Sequence, residues 1–176
     1  MTENTKEEPI ELPCYVAGES CGGELLEVFY PYTGELVGCV KMADSSILER
    51  ALAETVGTPM TRWQRHEILM KAKELLSASS DEFSNLIRRE SGLCMRETRY
   101  EVGRTQDVLQ FAAIESLRDD GQIFSCDISP QGQSRKIFTL REPLALAAAI
   151  TPFNHPLNQV AHKLAPAIAA GTPMIL

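Results

Sequence analysis

Asn154 and His155 stand side by side in a short connection, Thr151-Pro-Phe-Asn-His155, between an apolar run and a helix-like stretch. A fixed amide NH₂ is a neutral donor suited to an oxyanion that develops during reaction, and losing one such donor costs ~3 kcal/mol in hydrolytic sites. An asparagine set between two prolines also fits a turn that satisfies its own backbone, and spacing by itself favours that turn. His155 is open to two readings as well: a helix-start hydrogen bond, or a side chain turned toward a substrate mouth. Arg104 offers a planar fork of donors that matches an anionic group. On a solvated helix face it would instead pair with Glu101 or Asp107, for well under ~1 kcal/mol. Ile150, Thr151, Pro152 and Phe153 read by themselves as an ordinary strand end and turn.

The other reactive residue types do not assemble. Five cysteines (Cys14, Cys21, Cys39, Cys94 and Cys126) are scattered without CxxC spacing. That pattern argues against a disulfide framework and a Cys-rich zinc site, and makes a reducing cytoplasm the expected compartment. His66, His162 and Lys163 fall on amphipathic stretches and read as structural, and Trp63 reads as packing. No two-His spacing with carboxylates suggests a metal. No GxGxxG run is present, so a standard Rossmann phosphate loop is not supported. With 17 Lys+Arg against 24 Asp+Glu, the net charge is −7. Such a chain has no broad basic field for nucleic acid or an anionic membrane, although a local positive pocket could still take an anionic small molecule. No apolar run approaches the roughly 18 residues of a membrane span. The polar, acidic start does not read as a secretory signal or transit peptide.

These residues need elements to hold them. The chain has 176 residues, 44% hydrophobic and 23% charged, the size and balance of one globular domain. Residues 1–14 are expected to be frayed. Short strands are expected at 15–18 and 25–30 around Gly22-Gly23, and at 35–40 after the Pro31–Gly34 turn, making a small antiparallel β element. A helical block follows. Asp44 caps a first helix, Gly57-Thr58-Pro59 breaks it, and Thr61 caps a second. Ser79-Ser80-Asp81-Glu82 fits a capping box for a third helix that stops at Ser91-Gly92. A long fourth helix spans about Met95 to Leu117, and Asp119-Asp120-Gly121 is a turn. Strands are then expected at 124–128 and 134–142 around Pro130-Gln-Gly132. Leu144–Ile150 is a continuous apolar run, as a strand buried on both faces requires. Pro156 suits the first turn of a helix that Gly171 stops, and Thr172–Leu176 reads as the next strand. The chain thus finishes inside a β-α-β unit, the first sign that the sequence is a fragment.

The run Pro143–Gly171 closely resembles the aldehyde dehydrogenase superfamily, whose pattern there is a buried strand, Pro-(Trp/Phe)-Asn-x-Pro, and a helix ending Ala-Pro-Ala-(Leu/Ile)-Ala-x-Gly. Upstream segments agree: Tyr30-Pro-Tyr-Thr-Gly-Glu35, the helix bearing Trp63, Arg65, Leu69, Ala72, Leu75 and Leu76, Glu90-Ser-Gly-Leu93, and the Glu97/Glu101-Val102 region. Within the superfamily, Glu90-Ser-Gly-Leu-Cys94, Tyr100-Glu-Val-Gly-Arg104, Asp119–Asp127 and Pro152-Phe-Asn-His-Pro-Leu-Asn158 look most like phosphonoacetaldehyde dehydrogenases.

The resemblance implies an α/β fold, the N-terminal part of that superfamily's architecture: a small antiparallel β element, a helical block, then the start of a parallel Rossmann-like sheet. Residues 15–176 would be an incomplete NAD-binding domain, with part of a β-strand oligomerisation element near 124–142 and the catalytic domain absent. It makes Asn154 the oxyanion donor and places Ile150, Thr151, Pro152 and Phe153 along the nicotinamide and ribose part of the cofactor cleft. Arg104 and His155 become the substrate-recognising pair, for phosphonoacetaldehyde oxidised to phosphonoacetate. The cofactor is NAD, with NADP left open; the partners are the small aldehyde and further copies of the chain, in a dimer or tetramer. None of the five cysteines matches the family's nucleophile motif. The nucleophilic Cys, the general-base Glu and the ribose-binding Lys would follow Leu176, so the fragment alone is expected to be inactive. Two alternatives stand beside this: a non-catalytic or partner-binding fragment, and an aldehyde dehydrogenase for another phosphorylated or semialdehyde substrate.

Overall fold

Five short strands open a computed structural model that describes residues 9–54, 59–118 and 121–176. They are β1 (Ile10–Leu12), β2 (Cys14–Val16), β3 (Glu19–Cys21), β4 (Leu25–Phe29) and β5 (Leu36–Lys41). β2 and β3 form an antiparallel hairpin that turns at Ala17-Gly18, both at positive φ. β4 and β5 pair antiparallel around the Pro31–Gly34 turn, where the Tyr30 N–H donates to Glu35 O. β1 lies parallel to β5, with Ile10 opposite Gly38. Two expectations change here. Ile10–Leu12 and Cys14 are strand rather than frayed chain, while 1–8 lie outside the described residues. The β element is also mixed, not purely antiparallel. Gly38 is what admits β1: a Cβ there would come within 2.5 Å of the Ile10 carbonyl oxygen.

The helices largely follow their capping signals. α1 (Ser45–Glu54) starts where Asp44 Oδ1 accepts from the Ile47 N–H at 2.9 Å. The expected break at Gly57-Thr58 lies outside the described residues. α2 (Arg62–Ala78) carries a full capping box between Thr61 and Gln64. α3 (Ser80–Ser91) ends on Gly92 in the left-handed conformation. The box expected at its start does not form. The Ser80 hydroxyl donates to the Leu76 and Ser77 carbonyls, closing α2 instead of opening α3, and Ser79 makes no side-chain cap. α4 (Met95–Glu115) is the long fourth helix. Of the expected turn after it, Asp119 and Asp120 lie outside the described residues.

The last third is β6 (Ile123–Phe124), β7 (Ile137–Phe138), β8 (Ala147–Ala148), α5 (Pro156–Ala170) and β9 (Met174–Ile175). β6 and β7 pair over two residues each, shorter than the strands expected at 124–128 and 134–142, because a 3-10 turn occupies Pro130–Gly132 and ladder partners run out. β8 and β9 are parallel, Ala147 opposite Met174, so the β-α-β unit stands as read. The strand expected to be buried on both faces is not: Leu144 and Ile150 are exposed. A two-stranded sheet leaves both outer edges without a neighbour, and full burial needs more strands.

Packing centres on α4. Leu69 of α2, Ala112 and Ala113 of α4 and Ala165 of α5 form one buried cluster. Leu76, Ile87 and Val102 join α2, α3 and α4 in another. Small residues let α4 and α5 approach closely, so α4 is the element that α5 is built upon. Among the described residues, no helix is long and apolar enough to cross a membrane.

Candidate active site

The candidate site is the connection from β8 to α5. It leaves the carboxyl end of a parallel strand, the place where open α/β sheets bind ligands. Ile150 and Phe153 are each 91% exposed there, and Pro152 and Asn154 are exposed beside them. The Asn154 side chain has no hydrogen-bond partner among the described residues, so the turn that would consume its amide does not form. Its position is set by the backbone on either side.

That backbone is held from α4. α5 begins with Pro156, which has no N–H, and the first helical bond runs from Gln159 N–H to His155 O. Leu157 and Asn158 are left as orphan donors. Both donate to one oxygen, Glu101 Oε1, at 2.9 and 3.0 Å. The other oxygen, Oε2, lies 3.3 Å from His155 Nδ1. Facing a carboxylate, Nδ1 carries a proton and donates to it. His155 is thus held at the helix start by Glu101 rather than by a cap to its own helix, and 41% of its side chain stays exposed. Glu101 is 1% exposed, and its charge lies at the positive end of α5. Burial first, and then the nearby Glu101 carboxylate, push the carboxyl of Glu90 above the usual range.

Arg104, one turn beyond Glu101, is exposed, and its guanidinium lies over the Tyr100 ring, 5.9 Å from the centroid. Among the described residues it pairs with neither Glu101, which points inward, nor Asp107. No hydrogen bond joins it to residues 150–155. A Cβ on Gly103 would meet nothing within 4 Å, so no close packing beside it aims the arginine. Stacking on Tyr100 is what orients Arg104.

Sequence reasoning missed two charges. Glu101 is buried on the stripe of α4 that also carries Thr98, Val102 and Thr105. Arg65 of α2 is 9% exposed, its Nε has no partner among the described residues, and its guanidinium lies against Gly171. The available signal was a charged residue on the apolar face of an amphipathic helix, where a charge needs a partner from elsewhere. His66 has such a partner: Nδ1 lies 2.8 Å from Ala113 O, and its ring stacks on Trp63.

An open cavity of about 720 Å³ lies at the other end of α5, lined by Arg62, Arg65, Phe111, Arg118, Arg141 and His162 among others. It sits where the chain enters β8 and β9, at the amino ends of the strands. Ligand sites of open α/β sheets lie at the carboxyl ends, so Asn154 marks the better candidate. Among the described residues, no group of three His, Cys, Asp or Glu side chains converges as a metal would require.

Strand, exposed connection, helix and parallel return strand define an open α/β protein with its candidate site at a strand's carboxyl end. Residues 15–176 match the family model described as the aldehyde dehydrogenase family, and the chain belongs to that family. It is 36% identical over 166 residues to the 3-sulfolactaldehyde dehydrogenase of Priestia megaterium, covering 92% of this chain and 35% of that one. It superposes on aldehyde dehydrogenase 21 from Physcomitrella patens, solved with the reaction product succinate, with a TM-score of 0.85 and 28% identity, over 96% of this chain and 36% of that one. The NADP-dependent glyceraldehyde-3-phosphate dehydrogenase from Bacillus halodurans, solved with NADP, gives a TM-score of 0.86 at 26% identity, over 94% and 37%. The chain spans about a third of the length of these relatives.

Proposed function

We propose that the complete protein carrying this chain oxidises an aldehyde to a carboxylic acid with NAD or NADP, and that the aldehyde is short and carries an anionic tail, phosphonoacetaldehyde being the first candidate. The observation that carries this reading is the placement of Asn154: an unpaired amide at the carboxyl end of β8, one residue from a histidine held by a buried carboxylate. Its NH₂ donates to the aldehyde oxygen as negative charge develops there, and costs no reorganisation at that moment. The exposed apolar faces of Ile150 and Phe153 fit a cofactor ring, and Thr151 and Pro152 shape the wall between them. The nicotinamide cofactor supplies the hydride acceptor when bound. Arg104 and the outward edge of His155 recognise the anionic tail. We read the nucleophile and the base as coming from another part of the complete protein, since none of the five cysteines matches the family's catalytic motif. The exposed Ile137, Phe138 and Leu140 support a role for residues 124–142 in contacts between copies.

An anionic tail is supported by the relative named for 3-sulfolactaldehyde and by the neighbour named for glyceraldehyde 3-phosphate. The test is the initial rate of aldehyde-dependent NAD(P)H formation by the complete protein with phosphonoacetaldehyde, 3-sulfolactaldehyde, succinate semialdehyde and acetaldehyde. A higher kcat/KM for the anionic aldehydes is expected, with phosphonoacetaldehyde highest. Equal values for all four would remove the anionic tail, and no turnover of any would overturn the oxidation reading.

A further inference from the structure

Glu101 reaches three positions at once: the residue before α5, and the two orphan donors of its first turn. The connection that carries Asn154 has little else to fix it. Pro152 and Pro156 have no N–H to donate, His155 makes no side-chain cap to its own helix, and Asn154 has no partner among the described residues. The far end of α5 is held by a second buried charge, since Arg65 sits against Gly171, where a Cβ would come within 2.5 Å of its Nη1. A carboxylate at the positive end and a guanidinium at the negative end oppose the helix dipole from both sides.

We propose that Glu101 is the positioning residue for Asn154: by holding His155, Leu157 and Asn158 from α4, it fixes where the asparagine amide meets the substrate oxygen. This rests on the reading of Asn154 as the oxyanion donor. A displacement of about 1 Å from a residue that never touches substrate can cost as much as ~100-fold in rate. Glu101 is 0% exposed at its side chain and forms no part of the reacting surface.

The experiment compares Glu101→Gln, Glu101→Asp and Glu101→Ala in the complete protein. Glutamine keeps an oxygen for the Leu157 and Asn158 N–H groups and turns an amide toward His155. Aspartate withdraws the carboxylate by one methylene. Expected are a kcat within about 3-fold of the parent for Gln, and a loss of about 10-fold or more for Asp and Ala, with the cofactor KM changed less than about 3-fold in each. Rates are referred to folded enzyme by active-site titration. Hydrogen exchange of peptides spanning 151–158 should quicken in Asp and Ala but not in Gln. If Ala fails to fold, Asp and Gln decide alone. Parental kcat per folded site in Glu101→Asp, with quickened exchange, would make Glu101 a purely structural cap and overturn the proposal; unchanged exchange in Asp would overturn it too. Asn154→Ala separates the two claims. If it leaves kcat unaltered, the oxyanion reading fails, while exchange across 151–158 still decides whether Glu101 fixes the connection.

Discussion

Asn154→Ala in the complete protein should lower kcat about 100-fold or more with a smaller change in cofactor affinity, because the lost amide acts on charge that exists only in the transition state. Stopped-flow and steady-state rates on the folded variant check this; a kcat within about 3-fold of the parent would remove Asn154 from the chemistry. Arg104→Ala should raise KM for phosphonoacetaldehyde by about 10-fold or more and leave kcat/KM for acetaldehyde nearly unchanged. Its guanidinium is oriented by Tyr100 and pairs with no carboxylate among the described residues, so its donors are free for a substrate anion. Equal losses on both aldehydes would return it to a surface role. Glu90 gives a pH signature. Burial, then Glu101, raise its folded pKa, so the protonated form is favoured in the fold. Its stabilising contribution is complete below the unfolded value near 4.5 and is lost as pH rises through the raised folded value. Glu90→Gln should therefore raise Tm at pH 7, and the gain should shrink as pH falls toward 4.5. A gain that grows in acid would contradict the assigned cause. Asn154, His155 and Arg104 could all be picked from the sequence. Glu101 was visible as part of a family-like segment and as a possible surface partner of Arg104, but not as a buried anchor, because its true partners lie more than fifty positions away, where no local spacing points.

Element boundaries were legible wherever one residue signals by itself. Asp44, Thr61, Gly92, Pro156 and Gly171 each start or stop the helix they were read to start or stop. Ser79-Ser80-Asp81-Glu82 misled because the same hydroxyl can serve the helix before it, and α2 leads into α3 with no intervening loop to separate the two uses. Strands were less legible than helices. A ladder needs a partner, and the lengths of β6, β7 and β8 are set by how many partners each finds, not by their own apolar runs. β1 shows the reverse: a segment with little strand character is ordered by β5. Thr61→Ala should loosen only the first turn of α2, by about 1 kcal/mol. That corresponds to roughly 5-fold faster amide exchange at Gln64 and Arg65, with α4 unaffected. Uniform acceleration through α2 and α4 would mean that the box also supports the wider packing.

At the scale of the whole molecule, residues 1–176 expressed alone should give no aldehyde-dependent NAD(P) reduction above a buffer blank. They should also self-associate, since Ile123, Ile128, Ile150 and Phe153 project into solvent while β8 and β9 have open edges among the described residues. Light scattering and a coupled assay check both halves, and turnover by the isolated chain would show that it holds its own nucleophile. The family was legible above all from one segment, Pro152–Gly171, because that stretch combines a Pro-Phe-Asn-His connection, a helix that opens on Pro156 and a stop glycine in fixed spacing.

The carboxylate beneath α5 also bears on which part of a dinucleotide could face this corner. In a fold with a glycine-rich phosphate loop, the first helix turn after the strand is the berth for the diphosphate. Here the two N–H groups of that turn are taken by Glu101, and a negative charge already sits among them. A phosphate brought to that turn would find both of these N–H groups taken and like charge among them, which closes the berth from within. On the cofactor reading proposed above, a dinucleotide would approach Ile150 and Phe153 with its ring, its phosphates lying elsewhere.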